Sequence, residues 1–109
     1  MWDALEAARR VARVTDGQGF EDYLVNDVMR WAAERQFMII GEALSVLRRV
    51  DPVLASQIPD LARIVGFRNV LVHGYTGVDD KLVWGVIERD LAPLMAALTD
   101  LLGRSRDPG

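Results

Sequence analysis

The sequence predicts an all-α protein, an antiparallel up-and-down bundle of four main helices plus one short helix. Apolar residues recur at helical spacing along nearly the whole chain, and the alternating pattern typical of strands is almost absent. Glycine and proline lie at the breaks between these periodic segments, where they indicate turns. The chain has 109 residues, 50% of them hydrophobic, which is enough for one domain with a packed core. We expect this domain over residues 1–103 and a flexible polar tail over residues 104–109.

The first two helical segments are separated by a glycine-containing turn. Apolar residues on one face predict a helix over residues 2–14, followed by a turn over residues 15–19. A longer helical segment is predicted from about residue 20 to residue 50, with Asp22 or Asn26 as the cap at its start. Gly41 lies in the middle of this segment, where glycine costs about 1 kcal/mol relative to alanine. We therefore expect another helix to approach closely at Gly41.

Proline and aspartate mark the starts of the next two helices. Asp51 and Pro52 have the pattern of an N-cap followed by a first helical turn, which predicts a short helix over residues 52–57. Pro59 ends this element, and Asp60 is predicted to cap a helix that runs from residue 61 to residue 73. This helix is expected to stop because Gly74 suits the left-handed conformation just past a helix C-terminus.

The last helix is predicted to begin after a short turn over residues 76–79. Asp79 or Asp80 can cap its start, and a stripe of apolar residues continues to about residue 101. Pro93 lies inside this stripe, so the sequence predicts a kink there.

Composition and charge exclude several classes of function. The chain has no cysteine, which excludes disulfides and thiolate sites, and its single histidine excludes a multi-histidine zinc site within one chain. Thirteen basic residues against 16 acidic residues give a net charge of −3, which argues against nonspecific coating of nucleic acid. No apolar run approaches the ~20 residues that span a membrane, and the N-terminus lacks the pattern of a secretory signal. We expect a cytoplasmic protein without a membrane segment.

One short segment, residues 67–75, concentrates the side chains that can carry out chemistry. It contains Arg68, Asn69, His73 and Tyr75. An imidazole transfers protons near neutral pH, and a guanidinium group holds phosphate and stabilises the charge that develops in phosphoryl transfer. Together they suffice for metal-free RNA cleavage in which the ribose 2′-hydroxyl attacks the adjacent phosphorus. One histidine per chain is little for proton transfer at both the attacking oxygen and the leaving oxygen. A homodimer with two copies in one cleft would supply a second histidine.

The same residues allow a purely structural interpretation. A separation of five residues in an unbroken helix places Arg68 and His73 about 140° apart, on different sides. His73 could cap or pack at a helix end, and Arg68 could pair with Glu42 or Asp80. Tyr75 could cover the end of the bundle.

The segment Arg68-Asn-Val-Leu-Val-His73-Gly-Tyr75 resembles the Arg-x-x-x-x-His-x-Tyr signature of HepT-type toxins, which belong to the HEPN superfamily. Two further blocks are similar to that family: residues 34–43, with the sequence Glu-Arg-Gln-Phe-Met-Ile-Ile-Gly-Glu-Ala, and the Val-Trp pair at positions 83 and 84. The resemblance extends over roughly residues 2–102, with the segments in the same order.

The resemblance implies an all-α HEPN bundle that homodimerises and places two arginine–histidine pairs in one composite cleft. It implies a metal-independent RNA endonuclease, with transfer RNA among the substrate classes, that acts as the toxin of a toxin–antitoxin system. Arg68 would bind and polarise the scissile phosphate, His73 would be the general acid and base, and Asn69 would be a polar helper. No metal and no cofactor are implied for the cleavage itself.

The resemblance also implies a partner, a MntA-type minimal nucleotidyltransferase antitoxin that uses ATP and Mg²⁺. This enzyme would attach AMP to Tyr75, and the bulky anionic group two residues from His73 would block the cleft and repel RNA. The alternative is a non-catalytic HEPN module, in which Arg68 and His73 bind a phosphate of a nucleotide or serve the nucleotidyltransferase complex without breaking a bond. Since an acidic protein must bind RNA locally, the candidate RNA contacts are Arg30, Arg35, Arg63 and Arg68.

Overall fold

The computed structural model describes residues 1–74 and 77–106, and within these ranges all regular structure is helical. The helices are α1 (Trp2–Thr15), α2 (Phe20–Val25), α3 (Asp27–Val50), α4 (Pro52–Ala55), α5 (Leu61–His73), α6 (Asp80–Arg89) and α7 (Leu91–Arg106). The all-α fold predicted from the sequence is confirmed. No helix in the described ranges combines the length and apolar content that crossing a membrane requires.

The long helix α3 lies at the centre of the bundle. It packs against α1 on one side and α5 on another, and α1 also packs against α7. Phe37 of α3 meets Phe67 of α5 edge to face, with ring centroids 5.3 Å apart, and this pair joins the two helices that frame the candidate site. Buried apolar side chains from three helices, α1, α3 and α7, complete the core: Leu5, Val11, Phe37, Ile40, Leu44, Leu94 and Leu98.

The predicted segment from residue 20 to residue 50 is two helices rather than one. Asn26 has an extended backbone between α2 and α3, and its side-chain oxygen accepts a hydrogen bond from the Met29 amide at 3.0 Å. The Asp22 carboxylate accepts from the Gly19 amide at 2.8 Å and holds the start of α2. The two residues predicted as alternative caps therefore each stabilise their own helix, and Asn26 interrupts the segment because capping needs a non-helical backbone.

The last predicted helix is also divided, and the prediction of a kink at Pro93 is wrong. Helix α6 ends at Arg89 and α7 begins at Leu91, which places Pro93 in the first turn of α7, where an amide hydrogen is not needed. Between them, the buried carboxylate of Asp90 pairs with Arg63 of α5. Helix α7 continues to Arg106 and so includes the first three residues of the predicted tail.

The two ends of α5 differ in detail from the prediction. Asp60 precedes the helix with a left-handed backbone (φ 56°), and its carboxylate pairs with Arg63 at 3.0 Å instead of capping the helix. The helix ends at His73 as expected, but Gly74 has φ −80° and is not left-handed. A β-carbon at Gly74 would lie 3.1 Å from the carbonyl oxygen of Val70, so the tight approach to the last turn favours glycine there.

The predicted caps of the short helix and of α6 are confirmed. The Asp51 carboxylate accepts from the Leu54 amide at 3.1 Å, and Pro52 occupies the first turn of α4, which ends at Ala55 rather than at residue 57. The Asp79 carboxylate accepts from the Lys81 amide at 3.0 Å at the start of α6.

Candidate active site

The close approach of α3 and α5 positions Arg68. A β-carbon built on Gly41 of α3 would lie 2.1 Å from the β-carbon of Arg68 and 2.5 Å from its γ-carbon. No side chain larger than hydrogen fits this space, so the stem of Arg68 crosses directly over the backbone of α3. The prediction that another helix approaches closely at Gly41 is confirmed.

Two neighbouring groups fix the orientation of the Arg68 guanidinium. Its Nη2 donates to Oε2 of Glu42 at 2.9 Å, and its Nη1 donates to Oδ1 of Asn69, also at 2.9 Å. Of the two carboxylates that the sequence offered as partners, Glu42 forms the ion pair and Asp80 does not. The Arg68 side chain is 31% exposed, so the guanidinium is held by protein and still open to a ligand.

A cavity of about 550 Å³ opens beside Arg68, between α1, α3 and α5. Its charged lining consists of Arg35 and Glu42 from α3, Arg68 from α5 and Asp3 from the start of α1. The remaining lining is apolar and consists of Met1, Met38, Ile39, Ala43, Val46 and Val72. The volume lies within the range of small-molecule and nucleotide sites, and a mostly apolar wall with a few convergent polar groups is typical of them.

His73 is the last residue of α5 and its side chain is exposed. Because α5 is unbroken from Arg68 to His73, the two side chains leave the helix about 140° apart. Within one protomer, Arg68 lines the cavity and His73 is not among its lining residues. The structure thus does not bring the predicted arginine and histidine into one cavity of a single chain.

Asn69 lies between the two candidate catalytic residues. Its side-chain oxygen accepts a hydrogen bond from Arg68, and it precedes His73 by four residues, so the two share one face of α5. The amide therefore connects the face that carries Arg68 to the face that carries His73. Tyr75, the predicted acceptor of AMP, lies outside the described residues.

The four arginines predicted to contact RNA lie in different surroundings. Arg35 and Arg68 line the cavity. Arg30 instead pairs with Asp27 and donates to the carbonyl oxygen of Tyr23 at 3.4 Å. Arg63 pairs with Asp60 and Asp90 and holds α5 to the junction of α6 and α7. Of the four predicted arginines, Arg35 and Arg68 therefore share one cavity, and Arg30 and Arg63 lie elsewhere in ion pairs.

A second group of polar residues, which the sequence reasoning did not identify, lies where α2, α3 and α6 meet. Tyr23 is fully buried, and its hydroxyl has no hydrogen-bond partner among residues 1–74 and 77–106. Burial raises the pKa of Tyr23, and the nearby carboxylates of Glu34 and Asp80 raise it further. Burial also raises the pKa of Glu34, Asp80 adds to this effect, and Arg30 opposes it. No local pattern signals this group, because its members are brought together only by tertiary folding.

The described part of the chain contains no group of three or more histidine, cysteine, aspartate or glutamate side chains placed to hold a metal ion.

Comparisons with known proteins identify the family of the chain. A family model described as "Ribonuclease HepT-like" matches residues 4–101. The chain is 31% identical over 93 residues to "Putative RNase MJ1380" of Methanocaldococcus jannaschii, an alignment that covers 84% of this chain and 83% of the relative. It is 32% identical over 94 residues to "Probable ribonuclease HepT" of Thermococcus cleftensis, with 84% and 83% covered. No solved structure is significantly similar to the chain.

Proposed function

The chain belongs to the ribonuclease HepT-like family of the HEPN superfamily, and we propose that it uses its ribonuclease activity as the toxin of a toxin–antitoxin system. In this proposal the protein is a homodimer that cuts RNA without a metal ion, through Arg68 and His73. The observation that carries the proposal is the guanidinium of Arg68, which Glu42 and Asn69 hold at the edge of a cavity of nucleotide size.

The proposed reaction assigns one task to each group. The imidazole of His73 accepts the proton of the ribose 2′-hydroxyl as its oxygen attacks the adjacent phosphorus. The guanidinium of Arg68 donates hydrogen bonds to the non-bridging oxygens, where negative charge develops. The 5′-oxygen leaves and takes a proton from the partner's His73, which yields a 2′,3′-cyclic phosphate and a 5′-hydroxyl. Asn69 keeps the guanidinium in place through its hydrogen bond.

The geometry of α5 supports a dimer as the active form. Arg68 and His73 leave the helix about 140° apart, so a histidine that faces Arg68 is better supplied by a second copy. A continuous stripe on the outer face of α3, defined here as the α3 stripe, supports such an interface. Its members recur every three or four residues: Val28, Trp31, Arg35, Ile39, Glu42, Val46 and Val50. The four central members also line the cavity, so in this proposal the second copy packs on the apolar ends of the stripe and the cavity stays open as part of a shared cleft.

The α3 stripe exposes more apolar surface than is usual for a protein that functions as a monomer. Val28 is 71% exposed, Trp31 is 64% exposed and Val50 is 73% exposed. From Val28 to Val50 the stripe is about 33 Å long, nearly the full length of α3. Exposed apolar residues at both ends of one helix face often mark an interaction site, and a second copy is the occupant that also completes the catalytic pair.

We further propose that a MntA-type nucleotidyltransferase silences the toxin. The Tyr75 oxygen would attack the α-phosphorus of ATP, with Mg²⁺ held by that enzyme, and pyrophosphate would leave. The attached AMP would carry negative charge two residues from His73, where RNA phosphate must bind. The support for this proposal is the position of Tyr75 in the family-like motif, directly after the exposed end of α5.

The decisive experiment compares purified, unmodified protein with variants on end-labelled RNA in the presence of a chelator. We expect cleavage by the parent chain and at least a hundredfold loss in Arg68→Ala and His73→Ala, with unfolding midpoints near that of the parent. Arg49→Ala, which removes an exposed arginine of α3 outside the cavity, is the matched control and should keep full activity. RNA left intact by the parent chain would favour the non-catalytic binding module instead.

The dimer and the modification need their own measurements. Sedimentation equilibrium should give twice the chain mass for the parent protein. Intact-mass spectrometry after incubation with the nucleotidyltransferase, ATP and Mg²⁺ should show added AMP on the parent and none on Tyr75→Phe. Labelling of the Phe variant at another residue would contradict the assignment of Tyr75.

A further inference from the structure

Arg35 shares the cavity with Arg68, and this juxtaposition has a consequence for substrate binding. We propose that the cavity is a subsite for one nucleotide of single-stranded RNA next to the scissile bond, and that Arg35 binds the phosphate on its far side. Arg35 is then a residue that sets the length and position of the RNA that is cut. The inference rests on the proposed ribonuclease function and deepens it.

Arg35 differs from Arg30 and Arg68 in its lack of an acidic partner. Arg30 and Arg68 each form an ion pair with a carboxylate. Arg35 is exposed, lines the cavity and pairs with no carboxylate within residues 1–74 and 77–106. Asp3 and Glu42 also line the cavity, but Glu42 is engaged by Arg68, and the Arg35 guanidinium forms no ion pair with either carboxylate, so it is available to a phosphate from outside.

Positions along α3 indicate how far apart the Arg35 and Arg68 guanidinium groups lie. Arg35 precedes Glu42, the residue that holds Arg68, by seven residues on the same helical face. Seven residues correspond to two turns and about 10.5 Å along the helix axis. Because Glu42 holds the Arg68 guanidinium, Arg35 leaves α3 about two turns away from it, and we assign the two guanidinium groups to successive phosphates of one strand rather than to the same phosphate.

The wall between the two arginines suits an unstacked base. Met38 and Ile39 of α3 and Val72 of α5 give the cavity an apolar lining. Unpaired bases present a flat apolar surface once they leave a stack, and a methionine side chain adapts to such a shape. A base within a duplex cannot enter the cavity, so the subsite selects single-stranded RNA.

The test uses a pair of matched arginine variants. Arg49 follows Glu42 by seven residues, just as Arg35 precedes it by seven, and both arginines are exposed and form no ion pair in the described part of the chain. Arg49 does not line the cavity. Arg35→Ala and Arg49→Ala therefore remove the same charge from the same face of α3. Arg35 borders the cavity, whereas Arg49 lies in the last turn of the helix, away from it.

We expect Arg35→Ala to raise KM for a single-stranded oligonucleotide about tenfold, with kcat changed less than about twofold, because the lost contact is a binding contact. On a dinucleotide with a single phosphodiester, Arg35→Ala should match the parent, since no second phosphate is present. Arg49→Ala should match the parent on both substrates. Equal effects of the two variants on the oligonucleotide would overturn the inference and leave the ribonuclease function intact.

Binding without cleavage separates this inference from the proposed function. In a His73→Ala background, the slope of log Kd against log salt concentration for single-stranded RNA should fall by about 0.7 when Arg35 is replaced by alanine. It should not change when Arg49 is replaced. If the parent chain fails to cut RNA and the Arg35 effect on the slope persists, the nucleotide subsite stands and the catalytic proposal fails. An unchanged slope overturns the subsite.

Discussion

The α-carbon of Gly41 packs directly on the side chain of Arg68, so that a β-carbon on residue 41 would lie 2.1 Å from the β-carbon of Arg68. This contact lies where α3 and α5 approach each other. The guanidinium at the end of the same side chain is held by Glu42, the residue after Gly41. Helix packing and the orientation of the proposed phosphate-binding group thus depend on two adjacent residues of α3, Gly41 and Glu42.

Gly41→Ala tests how strongly the site depends on this contact. Alanine is favoured over glycine in a helix by about 1 kcal/mol, but the added methyl overlaps a β-carbon that is fixed to the backbone of α5. Overpacking of this kind costs about 1–3 kcal/mol and forces the helices apart. We expect a net loss of unfolding free energy of about 1–2 kcal/mol by urea denaturation, and a loss of RNA cleavage.

Gly66→Ala is the control for helix propensity alone. Gly66 lies in α5, and a β-carbon there would meet nothing within 4 Å. The same substitution should therefore stabilise the protein by up to about 1 kcal/mol and leave cleavage unchanged. A Gly41→Ala variant that behaves like Gly66→Ala would contradict the close approach of the two helices.

The all-α fold could be predicted because helical periodicity is a local property of the sequence. The helix boundaries were predicted less accurately where one residue type fits two different positions in or next to a helix. Asn26 is compatible with a helix interior and with an N-cap. In the structure it is the N-cap of α3, and this divides the second predicted segment. Pro93 is compatible with a kinked helix and with a helix start. The helix breaks at Asp90, whose carboxylate pairs with Arg63 of α5, so Pro93 lies at the start of α7.

The candidate site was predictable in its components and not in its arrangement. The sequence contains both carboxylates that Arg68 can pair with, and only the packing of α3 on α5 decides for Glu42 over Asp80. The shared cavity of Arg35 and Arg68 depends on the same packing. The distance between residues on different helices is a tertiary property, which composition and spacing along one helix do not contain.

Glu42→Ala tests whether Glu42 positions Arg68. The ion pair is largely exposed, with side-chain exposures of 31% for Arg68 and 60% for Glu42, so its loss should change the free energy of unfolding by less than about 1 kcal/mol. The guanidinium would then lose one of the two groups that orient it. We expect kcat for RNA cleavage to fall about tenfold, because misplacement of a charge-stabilising group acts on the transition state.

Two comparisons distinguish positioning from a general effect of charge. Glu42→Gln keeps an oxygen that can accept from Arg68 and should recover part of kcat. Glu6→Ala breaks a similar exposed pair with Arg9 on α1, at 3.4 Å, and should leave kcat unchanged. Equal kcat values for Glu42→Ala and the parent chain would show that Asn69 alone is enough to orient Arg68.

Glu34→Gln tests the buried polar group between α2, α3 and α6. Burial raises the pKa of Glu34 above its ordinary value of 4.5, with a further contribution from Asp80. The folded state therefore holds this proton more tightly than the unfolded state. The contribution of the protonated Glu34 carboxyl to the free energy of unfolding is complete below about pH 4.5. It is lost as pH rises through the folded-state pKa of Glu34.

Since glutamine imitates the protonated acid, Glu34→Gln should be more stable than the parent chain at pH 7. The difference in unfolding free energy should shrink toward its low-pH value as pH falls to about 4.5. Urea denaturation at a series of pH values measures it directly. A variant that is less stable than the parent at pH 7 would mean that the ionised carboxylate of Glu34 makes a favourable contact in the fold.

Tyr23→Phe tests the hydroxyl at the centre of this group. The Tyr23 ring packs against Trp84 with centroids 5.5 Å apart, and its hydroxyl is buried without a hydrogen-bond partner among the described residues. A buried, unpaired hydroxyl costs about 1–3 kcal/mol, so its removal should raise the free energy of unfolding by about 1 kcal/mol. Tyr23→Ala removes the ring as well and should lower it by about 3–5 kcal/mol, by analogy with other large aromatic truncations. Urea denaturation of both variants separates the two effects, and a destabilised Tyr23→Phe would show that the hydroxyl finds an acceptor, such as a buried water molecule, in solution.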